Sequence, residues 1–369
     1  MGNTIIKRDH GGNVGEISRR YGIDEDKIID FSANINPLGY PPWLKETIIK
    51  EFDSVLNYPD IDSFGLVSGL SKYHDVDKSF IIVGNGSTEF IYSIPLAFKP
   101  QKALIVTPAF SEYEKGLRMA GAEVSYFQAD EKSDFSVDID CFCKRLKEGF
   151  DIVYLCNPSN PTGVLTPKNE LRRVIACAED TGTLAVIDEA FIDFVEEESV
   201  KKEILKFSNL IVLRSMTKFF GIPGLRIGYV IAAPSCAAKL KENRIPWTVN
   251  SLAQKTALKA LIDGDYIKAT RRYISTEREF LRTALNEIFG MNALEGAANF
   301  LLVRINSMEG MNSTELRDRL ASEGLLIRDC STFQGMGNRF FRVAVKKHKQ
   351  NMVLIERLHK LGTGLPCND

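Results

Sequence analysis

The 369-residue sequence predicts an α/β protein, built on a mostly parallel central sheet with a smaller α+β part behind it. Three observations predict this. Six short apolar runs lie between Phe80 and Ala233 and show no polar alternation. Amphipathic stretches of helical spacing separate them. Beyond Pro246 the pattern changes to a long helical stretch and then three short strands. Strands without alternation are buried on both faces, which is the condition of a parallel sheet covered by its own crossover helices.

In chain order, the first 45 or so residues have little periodicity and many turn residues, notably "HGGN" and "NINPLGYPP". They read as an arm (1–45) wrapping across the surface or over the site. A large domain (46–250) follows. "FIIVGNG" ends its first strand in glycine, and "STEFIYSIPLAF" continues as a helix. "KALIVTPAF", "DIVYLCNP", "TLAVIDEAF", "NLIVLRSM" and "RIGYVIAA" are the other five strands. "SEYEKGLRMAGA" and "KNELRRVIACAEDTG" are helices between them. A small C-terminal domain (251–369) begins with a linking helical region from about Val249 to Ile288. Its strands are "NFLLVRI", "GLLIRDC" and "RFFRVAV", and a last helix runs near Gln350 to Leu361.

Composition excludes several classes. Hydrophobic residues make up 44% and charged residues 26%, as in soluble globular proteins. A net charge of −1 leaves no basic footprint for nucleic acid. No apolar run reaches the roughly 18 residues of a membrane span, and the first residues have no secretory h-region. Seven scattered cysteines read as reduced thiols of a cytoplasmic protein. Four histidines without ligand spacing give no metal site.

The chemistry lies where the strands end, because in such sheets the site sits at the carboxyl edge. Gly86, Ser87 and Thr88 close one strand and open a helix. Phe110 follows the next, Asn160 a third within "NPSNPTG", Asp188 closes a fourth and Lys218 follows a fifth. Taken singly, each is an ordinary cap, turn or flanking charge. As a set they fit a phosphorylated aldehyde on a protonated pyridine ring, which is pyridoxal phosphate. Lys218 would form the Schiff base with the aldehyde. Asp188 would keep the ring nitrogen protonated. The helix N-terminus at Gly86, Ser87 and Thr88, with Ser215, Thr217 and Arg226, would hold the phosphate. Phe110 would cover one ring face, and Asn160 would donate to the phenolic oxygen.

The succession of Gly-rich turn, aromatic residue, "NPTG", "DEAF", Ser-x-Thr-Lys and later Arg resembles the fold type I pyridoxal-phosphate enzymes. "HGGN", "DFSANINPLG", "NYPD", "GNGSTE", "DEAFIDF", "RSMTKFFGIPGLRIGY" and "PWTVNSLA" narrow the resemblance. They look like the L-threonine-O-3-phosphate decarboxylases of cobalamin biosynthesis, which are themselves similar to histidinol-phosphate aminotransferases. One position departs: where many aminotransferases have "DEAY", this chain has Phe191, which carries no hydroxyl for the phenolic oxygen.

The resemblance implies a mechanism. The substrate amine displaces Lys218, the bond perpendicular to the ring breaks, carbon dioxide leaves, and Lys218 returns a proton to the α-carbon. The product would be (R)-1-aminopropan-2-yl phosphate, with L-serine O-phosphate as a second substrate to consider. By the same resemblance His10, Asn34, Arg328 and Arg342 bind the substrate's anionic groups. Alone, a strand arginine is more often ion-paired or snorkelling. Tyr58 of "NYPD" would reach the cofactor phosphate of a neighbouring subunit, which implies a homodimer. Otherwise it is a turn tyrosine packed locally. Two rivals remain at this stage: an aminotransferase of the same fold, and a catalytically silent pyridoxal-phosphate-binding regulatory protein.

Overall fold

A computed structural model describes residues 11–306 and 311–362. His10 lies outside them. Contacts divide the chain into two compact units. The larger comprises residues 35–276 and 296–299, and the smaller comprises 1–34, 277–295 and 300–369.

The chain enters the smaller unit through α1 (Val14–Tyr21) and β1 (Ile29–Asp30). α1 was not expected from the sequence. Its apolar residues, Val14, Ile17 and Tyr21, lie on one face but are only half-buried, and eight residues are too few to make that spacing stand out among the turn residues around it. The larger unit opens with α2 (Leu44–Lys50) and α3 (Phe64–His74). Strands and helices then alternate: β2 (Ile81–Gly84), α4 (Ser87–Phe98), β3 (Lys102–Thr107), α5 (Glu112–Met119), β4 (Glu123–Gln128) and α6 (Ile139–Leu146). The series continues with β5 (Ile152–Cys156), α7 (Lys168–Asp180), β6 (Leu184–Asp188), β7 (Leu210–Ser215) and β8 (Gly228–Ala232). Helices α8 (Pro234–Glu242), α9 (Ser251–Leu261) and α10 (Gly264–Asn286) follow, the last divided between the units after Thr276.

These strands form a seven-stranded sheet in the order β2-β8-β7-β6-β5-β3-β4. All neighbours pair parallel except β8, which is antiparallel to both β2 and β7. Since β8 reverses twice, β2 runs in the same direction as β3, β5, β6 and β7. Their carboxyl ends therefore share one edge, and the first residue of β8 joins them there: Gly228 pairs with Ser215 on one side and Gly84 on the other. One face of the sheet buries Ile105, Tyr154, Val186, Leu213 and Val230 against Phe90, Ile91 and Ile94 of α4 and Tyr113 and Leu117 of α5. The strand that periodicity missed is β4. It is one of the two edge strands; unlike β2 at the other edge it is half-exposed along its length and lacks the buried run that marks the others.

The smaller unit continues with β9 (Met291–Ala293), β10 (Phe300–Ile305), α11 (Ser313–Ser322), β11 (Leu325–Leu326), β12 (Arg328–Asp329), β13 (Phe340–Ala344) and α12 (His348–Gly362). Its sheet has the order β12-β13-β10-β9. "GLLIRDC" is thus two strands, because its first half turns away to pair in parallel with β1. The cysteines differ from expectation as well. Cys143 of α6 and Cys177 of α7 are joined by a disulfide, their Cα atoms 5.8 Å apart. Neither spacing nor composition announces it, since the bond depends on two helices meeting side by side.

Candidate active site

The carboxyl edge of the larger unit's sheet is assembled from five chain segments. β2 ends at Gly84, and the turn through Gly86 (φ 75°) starts α4. The backbone of that turn is what calls for glycine, and the space beside it is taken by Arg226. The left-handed backbone disfavours a side chain, and a Cβ on Gly86 would strike the Arg226 guanidinium. Gly228 is equally constrained: its Cβ would meet the Ser87 backbone nitrogen and the Arg214 carbonyl. Backbone N–H groups at the start of α4, the Arg226 guanidinium and the β8 entry are thus packed into one small cradle. A helix N-terminus beside an arginine is a site for an anion.

The hydroxyls stand next to it. The Ser215 and Thr217 side chains are buried and hydrogen-bonded to each other at 2.8 Å. The Lys218 ammonium donates to Ser215 Oγ at 3.4 Å and lies 5.8 Å from the centre of the Phe191 ring. The loop that carries Lys218 is pinned from a distance in sequence. The Lys218 carbonyl accepts from the Asn36 N–H at 3.1 Å. The Asn36 amide donates to the Phe219 carbonyl at 2.7 Å and to the hydroxyls of Tyr266 and Thr270. Asn36 belongs to "DFSANINPLG", but only the folded chain shows that it holds the lysine's backbone.

Asp188 ends β6 with its carboxylate buried. Oδ1 accepts from the Ala190 N–H at 2.9 Å and Oδ2 from the Tyr113 hydroxyl at 2.6 Å. Burial raises the acid's pKa, while the Tyr113 and Ala190 donors and the Lys218 charge pull it back. Phe110 lies at the entry to α5, its ring edge-on to Tyr113 with centroids 5.9 Å apart. Asn160 follows β5 and donates its backbone N–H toward the Cys156 thiol. Tyr58 is elsewhere on the larger unit: it is 84% exposed, and its ring packs against Trp247 at 5.2 Å.

The smaller unit has its own basic cluster. Arg328 and Arg342 are opposite each other in the β12–β13 register. Arg342 is buried, donates to the Ser32 carbonyl at 3.0 Å and lies over the Phe300 ring. Burial first, and then the positive charge of Arg328, lower its pKa to about 10. Arg328 donates to Thr332 Oγ1 at 2.9 Å. Asn34 is buried at the end of the same "DFSAN" stretch, whose Asp30 carboxylate accepts from Ser32 and Ala33. The two guanidiniums in register repel each other, and the Asp30 carboxylate opposes part of that at Arg342. Among the described residues no group of three or more His, Cys, Asp or Glu could hold a metal ion.

The sequence profile of the family "Aminotransferase class I and II" matches residues 26–358. The chain belongs to that family. It is 36% identical to the threonine-phosphate decarboxylase of Salmonella typhimurium over 99% of this chain and 100% of the other. Among solved structures it resembles the L-threonine-O-3-phosphate decarboxylase of Porphyromonas gingivalis, with TM-score 0.79, 30% identity and coverage of 89% and 98%. It also resembles the histidinol-phosphate aminotransferase of Clostridium acetobutylicum, with TM-score 0.84, 33% identity and coverage of 91% and 99%.

Proposed function

We infer that the protein is a pyridoxal-phosphate-dependent decarboxylase. It converts L-threonine O-3-phosphate to (R)-1-aminopropan-2-yl phosphate and carbon dioxide, in cobalamin biosynthesis. The observation that carries this reading is the end-to-end relation to a threonine-phosphate decarboxylase in a chain that keeps both Lys218 and Asp188 at the sheet edge. The cradle fits the cofactor: the glycine-walled helix terminus, two buried hydroxyls and Arg226 suit its phosphate, and the buried Asp188 carboxylate suits a protonated ring nitrogen.

When bound, the cofactor supplies an aldehyde for the substrate amine and a protonated ring that draws electrons from the α-carbon. The protein's residues do the rest. Gly86, Ser87, Thr88, Ser215, Thr217 and Arg226 hold the phosphate. Phe110 covers a ring face, and Asn160 donates to the phenolic oxygen. Phe191 adds no hydroxyl there. The Lys218 amine holds the aldehyde between turnovers and gives a proton to the α-carbon once the carboxylate has left as carbon dioxide.

Arg328, Arg342, Asn34 and His10 take the substrate's phosphate and carboxylate. How they hold the carboxylate decides which bond breaks, a choice worth only a few kcal/mol of orientation. L-Serine O-phosphate, one methyl smaller, is the obvious second substrate, since a methyl is worth about 1–3 kcal/mol of discrimination. The enzyme is read as a cytoplasmic homodimer, with Tyr58 serving the neighbour's cofactor phosphate. The kinship with histidinol-phosphate aminotransferases keeps transamination as the alternative.

A product assay separates the readings. L-Threonine O-3-phosphate and pyridoxal phosphate, without any keto acid, should yield carbon dioxide and aminopropanol phosphate in equal amounts. The protein should be yellow, absorbing at roughly 400–430 nm, and Lys218→Ala should abolish both the band and turnover. Folded, yellow protein that releases no carbon dioxide would overturn the decarboxylase. Histidinol phosphate with 2-oxoglutarate would then test the aminotransferase, and a yellow protein inert to both would be a silent cofactor binder.

A further inference from the structure

We propose that Tyr113 is a positioning residue for this reaction: its phenol fixes the Asp188 carboxylate and tunes how strongly that carboxylate holds the proton of the cofactor's ring nitrogen. The proposal rests on the reading of Asp188 as the ring nitrogen's partner.

The geometry has three parts. First, the 2.6 Å bond from the Tyr113 hydroxyl takes Oδ2, as the Ala190 N–H takes Oδ1. Each carboxylate oxygen therefore has one donor from the protein and keeps one acceptor site. Second, the phenol cannot swing away. Its ring is buried, stacked on Tyr154 with centroids 5.2 Å apart and edge-on to Phe110 at 5.9 Å. One side chain thus touches both the residue assigned to the ring face and the residue assigned to the ring nitrogen. Third, the hydroxyl is costly to bury unless it has an acceptor. Packing on Tyr154 and Phe110 would be satisfied by phenylalanine; the oxygen is explained by its polar partners, the Asp188 carboxylate at 2.6 Å and the Cys156 thiol beside it. Neighbouring Tyr154 is the contrast, since its buried hydroxyl has no hydrogen-bond partner among the described residues.

The direction of the effect follows. A donor to a carboxylate stabilises the anion and makes it a weaker base. The Lys218 charge acts the same way, while burial acts against it. The Cys156 thiol also faces Tyr113 and Asp188, and its own deprotonation is opposed by burial and by Asp188. Removing the Tyr113 oxygen also removes its hydrogen bond to the Cys156 thiol, but burial and Asp188 still hold that thiol neutral, and Lys218 keeps its charge. Without that oxygen, Asp188 grips the ring proton more tightly.

The experiment is ¹⁵N NMR of the holoenzyme loaded with ring-¹⁵N pyridoxal phosphate. Tyr113→Phe should move the ring-nitrogen resonance toward its protonated limit. Site-specific replacement of Tyr113 by 3-fluorotyrosine, a more acidic phenol that keeps the fold, should move it the opposite way. Tyr154→Phe should leave it in place. Asp188→Asn should move it toward the deprotonated limit, and if it does not, the reading of Asp188 itself fails. A moved resonance in Asp188→Asn with an unmoved one in the fluorotyrosine protein overturns the role of Tyr113 alone, even if Tyr113→Phe does not fold.

Discussion

Arg342 shows how much one side chain is asked to do. It is buried in the smaller unit opposite a second arginine, and its pKa is depressed to about 10 by burial and by that neighbour. A buried arginine beside a second one is a place where a substrate phosphate or carboxylate would find two positive charges together. Arg342→Gln should therefore raise KM for the phosphorylated substrate roughly tenfold to a hundredfold, the loss of about 1.5–3 kcal/mol from a charged hydrogen bond. The visible band of the bound cofactor should not change. Arg342→Lys should recover only part of the loss, because an ammonium lacks the two-pronged geometry. A changed band with an unchanged KM would move Arg342 from substrate to cofactor. At this scale the sequence makes plain those residues whose type and position recur as motifs, such as Asp188, Lys218 and the turn at Gly86. It hides Tyr113 and Asn36. Each is an unremarkable residue in its segment, and each acquires meaning from a partner at least 75 residues away.

Among elements, the legible ones were buried. The runs that became β3, β5, β6 and β7 are apolar because both sheet faces are covered. β4 and α1 were missed because they lie at the periphery, and the reversed direction of β8 is a fact of pairing that no run of residues encodes. One contact between elements has a measurable consequence. α3 ends in His74, whose Nε2 is 2.7 Å from the Tyr229 hydroxyl of β8. Burial, followed by the charges of Arg214, Lys201 and Lys202, holds its pKa well below the ordinary 6.5. The folded protein keeps His74 neutral while the unfolded chain takes up a proton below about pH 6.5. The stabilising contribution is therefore complete above pH 6.5 and lost as pH falls from there, by up to about 1.4 kcal/mol per pH unit for one proton. His74→Gln removes that titration. Between pH 6.5 and 5.5 its unfolding free energy should fall less steeply than that of the parent. Glu189, buried and raised to about 6, contributes slope of the other sign, but equally in both proteins. Parallel curves would mean that His74 is charged in the fold.

For the whole molecule, the surface of the larger unit bears on the number of subunits. Of the large apolar residues described as exposed, nine fall between Leu38 and Phe64, and four more between Ile245 and Ile262. The segments carrying them pack together, α9 against α2, α3 and the turn before Tyr58. Exposed apolar side chains gathered on segments that pack together suit a partner, and Tyr58, 84% exposed, is one of them. The reading as a homodimer with Tyr58 serving the neighbour makes a prediction that a monomer cannot imitate. Tyr58→Phe should weaken cofactor binding about tenfold, the value of one hydrogen bond to a charged group. Lys218→Ala should be inactive. Differently tagged subunits of the two variants, mixed and purified as hybrids, place the intact Lys218 of one chain with the intact Tyr58 of the other. Each hybrid dimer should then regain one site of parental cofactor affinity and turnover, while its second site carries both defects and stays silent. If Tyr58 serves its own subunit, no site in the hybrid is intact and nothing is regained. Sedimentation as a single chain at working concentration would remove the premise altogether.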